Sequence, residues 1–115
     1  MELQQLLSAL NTNPMDIEFE TVMAVIDENY EFTPSAFTNG KVENKAGENN
    51  GSCKIFAFGQ LNQLSQEATL ACFGRFYRED VLQHPDNTDH QNIRNFILTG
   101  WQGIDFDTPA LMKKQ

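Results

Sequence analysis

Fifteen consecutive residues, Thr38 to Ser52, hold only Val42 and Ala46 as apolar side chains, and they divide the apolar part of the chain in two. Whatever this chain folds into must accommodate that tract at its surface, because a run of polar side chains has no place in a core. The dipeptides Asn39-Gly40 and Asn50-Gly51 inside it are turn signals. A polar loop of this length in a small domain is commonly functional.

The apolar residues on either side follow helical spacing. Leu3, Leu6, Leu7 and Leu10 predict an amphipathic helix over the first ten residues, with a turn at Asn11 to Pro14. Phe19, Val22, Met23, Ile26 and Tyr30 mark a second helix. Asp16 and Glu18 sit near its start, where the helix dipole favours negative charge. Pro34 keeps it from running past about Phe32. The segment from Cys53 to Leu64 reads in two ways. Ile55, Phe56, Leu61, Leu64 and Ala68 suit a helix with Ser52 as its N-cap, whereas Phe56 and Phe58 alternate as in a short strand. Ser65 caps a further helix carrying Leu70, Phe73, Tyr77 and Val81, which Pro85 stops. After a turn at Asp86 to Thr88, Thr88 or Asp89 caps a last helix with Ile93, Phe96 and Ile97, closed by Gly100. Trp101, Ile104 and Phe106 form an apolar tail that packs back on the helices. Phe19, Ile26, Tyr30, Phe56, Leu70, Phe73, Ile93, Phe96 and Trp101 are expected to share one core. The expected fold is one domain over residues 1–115, mainly α, with about five helices and a long polar loop. The alternative is α+β with a short strand near residues 53–58.

Charge narrows the partners. Acidic residues number 16 against 8 basic, a net charge of −8. Residues 1–40 contribute seven acidic groups and no Lys or Arg, leaving nine acidic and eight basic in the remainder. Such a chain repels nucleic acid and anionic membrane, so neither is an expected partner. No stretch approaches the ~18 apolar residues of a membrane span. The first ten residues lack a basic n-region and a small-residue cleavage site. Two cysteines, Cys53 and Cys72, are too few for a disulfide scaffold and are expected reduced, which fits a cytoplasmic setting.

Several small constellations carry chemical readings. Cys53 at a helix start, with His84 or His90, has the residue types of a Cys-His hydrolase or transferase. Gly47 to Lys54 lacks the order of a phosphate loop, which excludes nucleotide hydrolysis, although amides at a helix start hold small anions. His84-Pro85-Asp86 copies the tripeptide of J-domain chaperone adaptors, but Arg75 and Arg78 before it are matched by Glu67, Glu79 and Asp80. His84, Asp86, Asp89 and His90 include metal-ligand types in a spacing of no known motif, and a capping role explains Asp89 and His90 without a metal. No cofactor or metal is expected.

The broader pattern is two polar groups in one small chain. Asn39, Asn44, Asn49, Asn50, Ser52 and Lys54 lie in the tract, and Arg75, Arg78, Asp80, His84, Asp89, His90, Asn92 and Arg94 lie further on. If the tract packs on the second group, these side chains either satisfy one another or hold a small polar ligand. The candidate polar surface is therefore Asn39, Asn49, Ser52, Lys54, Arg78, Asp80, His84, Asp89, His90 and Arg94, and its histidines would make it responsive between about pH 5 and 8.

Longer runs resemble the HopJ type III effector family. They are Val25-Ile-Asp-Glu-Asn-Tyr30, Pro34-Ser-Ala-Phe-Thr-Asn-Gly40, Ala46-Gly-Glu-Asn-Asn-Gly-Ser-Cys-Lys-Ile-Phe-Ala-Phe58, Thr69-Leu-Ala-Cys-Phe-Gly74 and Tyr77-Arg-Glu-Asp-Val-Leu82. The match continues through His84-Pro85, Asp89-His-Gln-Asn-Ile-Arg-Asn-Phe96 and Gly100-Trp-Gln-Gly-Ile104. The resemblance implies a bacterial protein and brings no catalytic residues with it. It implies export through a type III system by the family's name alone. The expected function is a small binding or interaction module, more readily a non-enzyme than an enzyme, for a small polar ligand or a protein partner.

Overall fold

The computed structural model describes residues 1–114. Helix α1 (Leu3–Thr12) leads through a 3-10 turn (Pro14–Asp16) into α2 (Phe19–Asn29). Three short strands follow: β1 (Tyr30–Phe32), β2 (Phe37–Asn39) and β3 (Val42–Asn44). Then come α3 (Asn50–Leu61), α4 (Gln66–Ala71), a π-helical turn (Phe76–Val81) and α5 (Gln91–Thr99). A 3-10 turn (Gly100–Gly103) and strands β4 (Ile104–Phe106) and β5 (Leu111–Lys113) complete the chain.

The fold is thus mixed α+β rather than mainly α. The α+β alternative holds as a class, but its strand is elsewhere: residues 53–58 are helix throughout. β1 pairs antiparallel with β5, and β2 stands between β3 and β4, antiparallel to both. Each strand is three residues long, too short for an alternating pattern to register in the sequence. The polar tract is therefore no plain loop. Its first part is a hairpin, in which Asn39 faces Val42 across the two residues Gly40 and Lys41. Gly40, at φ +62°, supplies the left-handed backbone that such a tight connection needs.

Two other departures have local causes. The second helix ends at Asn29, and Tyr30 to Phe32 become a strand because β5 returns alongside to pair with them. The helix capped by Ser65 ends at Ala71, although the cap itself is real: its hydroxyl accepts from the Ala68 amide at 3.1 Å. Gly74 explains the break. It has φ +60°, and a Cβ there would lie 2.6 Å from the Phe19 backbone nitrogen. The start of α2 passes so close that the helix cannot continue, and the chain resumes as the π-helical turn. Gly100 closes α5 with φ +58°, as the sequence predicts.

Phe56 sits at the centre of the core, fully buried. Its ring meets those of Phe96 at 4.9 Å, Phe73 at 5.6 Å, Phe37 at 5.9 Å and Trp101 at 6.4 Å. Ile26, Tyr30, Leu70 and Ile93 are buried in the same cluster, and Phe19 and Trp101 pack on it from its edge. Truncating Phe56 to Ala should cost about 3–5 kcal/mol of unfolding free energy by denaturant titration, since a ring with four aromatic neighbours leaves a cavity that cannot collapse. Gly74→Ala should cost more than about 1–2 kcal/mol, the left-handed backbone penalty, because the added methyl also meets the backbone of α2.

Candidate functional site

Two buried asparagines of the hairpin meet a third on α5. Asn92 Oδ1 accepts from Asn39 Nδ2 and Asn44 Nδ2, both at 3.1 Å, while Asn92 Nδ2 donates to Asn44 Oδ1 at 2.9 Å. Asn39 Nδ2 also donates to the Asn92 carbonyl at 2.7 Å, and Asn49 Nδ2 reaches Asn44 Oδ1 at 2.7 Å. Asn39 Oδ1 is the one buried side-chain acceptor without a partner among the described residues. This network brings the end of the polar tract against the start of α5.

At that junction lies a cleft of about 340 Å³. It is lined by Asn49 and His90, by Gly51 and Ser52 of α3 and Gln91, Asn92 and Ile93 of α5, and by Val42, Phe19, Phe73 and Phe76. Asn49 and His90 are the residues preceding the two helices, and both take the left-handed conformation, at φ 52° and φ 50°. Neither helix start has a side-chain cap, and the amides of Gly51, Ser52, Gln91, Asn92 and Ile93 have no acceptor among the described residues. The N-caps expected at Ser52 and at Thr88 or Asp89 are therefore replaced by Asn49 and His90. Asn and His tolerate the left-handed region better than most residues, and that backbone swings each helix start toward the cleft.

The predicted polar surface divides. Asn49, Ser52 and His90 line the cleft together. His90 Nε2 lies 3.0 Å from Asp80 Oδ2, and its ring meets that of Phe76 tilted at 39° with centroids 5.2 Å apart. The π-helical turn carries both Phe76 and Asp80 to this rim. Asp89 and Arg94 form an ion pair at 2.7 Å beside it, and the Arg94 hydrogen bond holds the Asp89 carboxyl below the usual carboxylate range. Arg94 also donates to the carbonyls of His84 and Asp80. These are contacts that brace the turn.

The remaining residues go elsewhere. Asn39 is fully buried and belongs to the network rather than to a surface. Lys54 pairs with Asp27 at 2.8 Å and lies over the Phe32 ring at 5.0 Å. Arg78 pairs with Glu18 at 2.8 Å and donates to the Ile17 carbonyl. His84, Pro85 and Asp86 are exposed in the turn before α5, but the flanking Arg75, Arg78 and Arg94 are all in ion pairs with carboxylates, so the basic flank of a J-like adaptor is missing. No group of three or more His, Cys, Asp or Glu among the described residues is arranged to hold a metal. The aromatic wall, Phe19 and Phe76, was not legible as part of a site. Its one signal is that Phe76 falls off the spacing set by Phe73 and Tyr77.

The family model for the HopJ type III effector protein matches residues 3–111. The chain belongs to the HopJ family. A crystal structure of a protein of unknown function, VPA0580, is 72% identical over 99% of this chain and 95% of that one, with a TM-score of 0.97. No curated protein matches the chain. No helix among the described residues is long and apolar enough to cross a membrane.

The thiols of this HopJ chain are placed for packing. Cys53 is buried, with its Sγ 3.7 Å from the Ser35 carbonyl, and it is Ser52 that faces the cleft. Burial pushes the Cys53 thiol up, although the Ser35 contact opposes this, and burial pushes the Cys72 thiol up to about 12. A thiol that resists ionisation is a poor nucleophile, which removes the basis of the Cys-His reading. The folded pKa lies above the unfolded one for both. Their contribution to stability is therefore complete below the unfolded value and is lost as pH rises through the folded one, for Cys72 between about pH 9 and about 12. Denaturant midpoints should fall across that window, less so in a Cys72→Ala variant. A thiol-labelling disulfide reagent at neutral pH should modify neither cysteine until the chain unfolds.

Proposed function

We propose that this HopJ chain is a small binding module, one domain over residues 1–115, that holds a small polar ligand in the cleft between the starts of α3 and α5. One observation carries the reading: two uncapped helix starts converge on a single cleft, and the amides of Gly51, Ser52, Gln91, Asn92 and Ile93 have no acceptor among the described residues. Each helix start brings roughly half a positive charge, so the pair favours a ligand that offers oxygen acceptors. Ser52 and Asn49 add side-chain hydrogen-bonding groups, and His90 adds a ring fixed by Asp80. The overall charge of −8 supports a partner other than nucleic acid or an anionic membrane. Free, buried thiols agree with residence in a bacterial cytoplasm.

The test is an amide chemical-shift titration with acetate, inorganic phosphate and acetamide. At least one should move the amides of Gly51, Ser52, Gln91, Asn92 and Ile93 as a group, and His90→Ala should weaken that response more than it lowers the unfolding midpoint. Shifts scattered over other surfaces, or none, would sink the proposal. Family membership favours a second reading beside this one, export of the module by a type III system. A reporter fused to the chain should then leave a secretion-competent cell and stay inside one whose secretion ATPase is inactive.

A further inference from the structure

From the aromatic side chains that share the cleft with those amides we infer that the ligand is an aromatic ring with an oxygen-acceptor group attached directly to it. The inference rests on the binding reading above and names the class of molecule that fills the cleft. Three aromatic side chains line the cleft: Phe73 is buried, while Phe19 and Phe76 are only partly covered. The Phe19 and Phe76 rings stand edge-to-face at 5.2 Å and 74°, so one offers an edge where the other offers a face. His90 continues the row beyond Phe76. A flat ring entering the cleft meets offset and edge-on partners at once, the arrangement that aromatic pairs prefer.

Gly51 lets the Phe19 ring approach the start of α3. A Cβ on Gly51 would lie 2.9 Å from Phe19 Cζ, so the Phe19 ring is pressed against the first turn of α3. The aromatic surface and the free Gly51 and Ser52 amides are neighbours, with no room for a linker between a ring stacked on one and an oxygen bound by the other. The cleft's volume of about 340 Å³ is at the small end for ligand sites, enough for one ring and a short substituent.

The experiment compares benzoate, benzamide, cyclohexanecarboxylate and acetate by amide chemical-shift titration on the full chain. Benzoate or benzamide should bind about threefold to tenfold more tightly than the saturated ring, the range that one aromatic pair supplies. Phe76→Leu keeps an apolar side chain without the ring and should erase that preference. Equal binding of benzoate and cyclohexanecarboxylate on the unaltered chain, a comparison that needs no variant to fold, would overturn the inference. So would a ring preference that survives Phe76→Leu, or benzoate shifts centred away from the cleft. If no probe, acetate included, moves those amides, the binding reading itself fails, a result distinct from loss of the ring preference alone.

Discussion

The buried amide cluster of Asn39, Asn44 and Asn92 is the interaction on which the geometry of the cleft depends. The side chain of Asn92 lies across both strands of the hairpin, accepting from Asn39 and Asn44 and donating back to Asn44. A buried amide that loses its partner costs about 1–3 kcal/mol, so each of the three holds the others in place. Apolar side chains of similar size would fill the space without fixing a register. The amides fix it, and they fix it between a hairpin and a helix that are 48 and 53 residues apart in the chain.

The helix starts at the cleft follow from that clamp. With the hairpin held on α5, Asn49 is drawn to Asn44 and turns into α3 through a left-handed residue. His90 enters α5 the same way. The aromatic side of the lining has a separate cause. Gly74 lets the chain pass within contact of the α2 start, which breaks the helix and restarts it as the π-helical turn that presents Phe76 and Asp80. π-helical turns recur at functional sites because they displace side chains from the regular spacing, and Phe76 is displaced in that sense. A donor wall from two helix starts and an aromatic wall from a broken helix therefore meet in one small space.

The sequence announced some of this and hid the rest for physical reasons. Helical periodicity located α1, α2 and α5, because an amphipathic face repeats over ten or so residues. It missed β2 and β3, whose three residues each carry no period to read. Asn39-Gly40 was legible as a turn, though whether a hairpin or a loop surrounded it depended on β4 arriving from residue 104 onward. Of the polar side chains expected at one surface, Asn49, Ser52 and His90 line the cleft, whereas Lys54 and Arg78 found carboxylates on α2 and before it. Asn39 looked like a surface residue because nothing in the sequence says that Asn92 will bury it. The left-handed entries at Asn49 and His90 are backbone states that these residue types permit without demanding, so only the packed structure reveals them.

The most direct measurement of this dependence is residue-resolved hydrogen exchange on an Asn92→Ala variant. If the amide cluster clamps the hairpin, exchange should speed up selectively at β2, β3 and the start of α3, with the pairing of β1 and β5 and the amides of α1 as protected as before relative to global unfolding. Unchanged protection in the hairpin would contradict the account. So would a uniform loss across every element, which would make Asn92 one more contributor to stability rather than the residue that holds the cleft together.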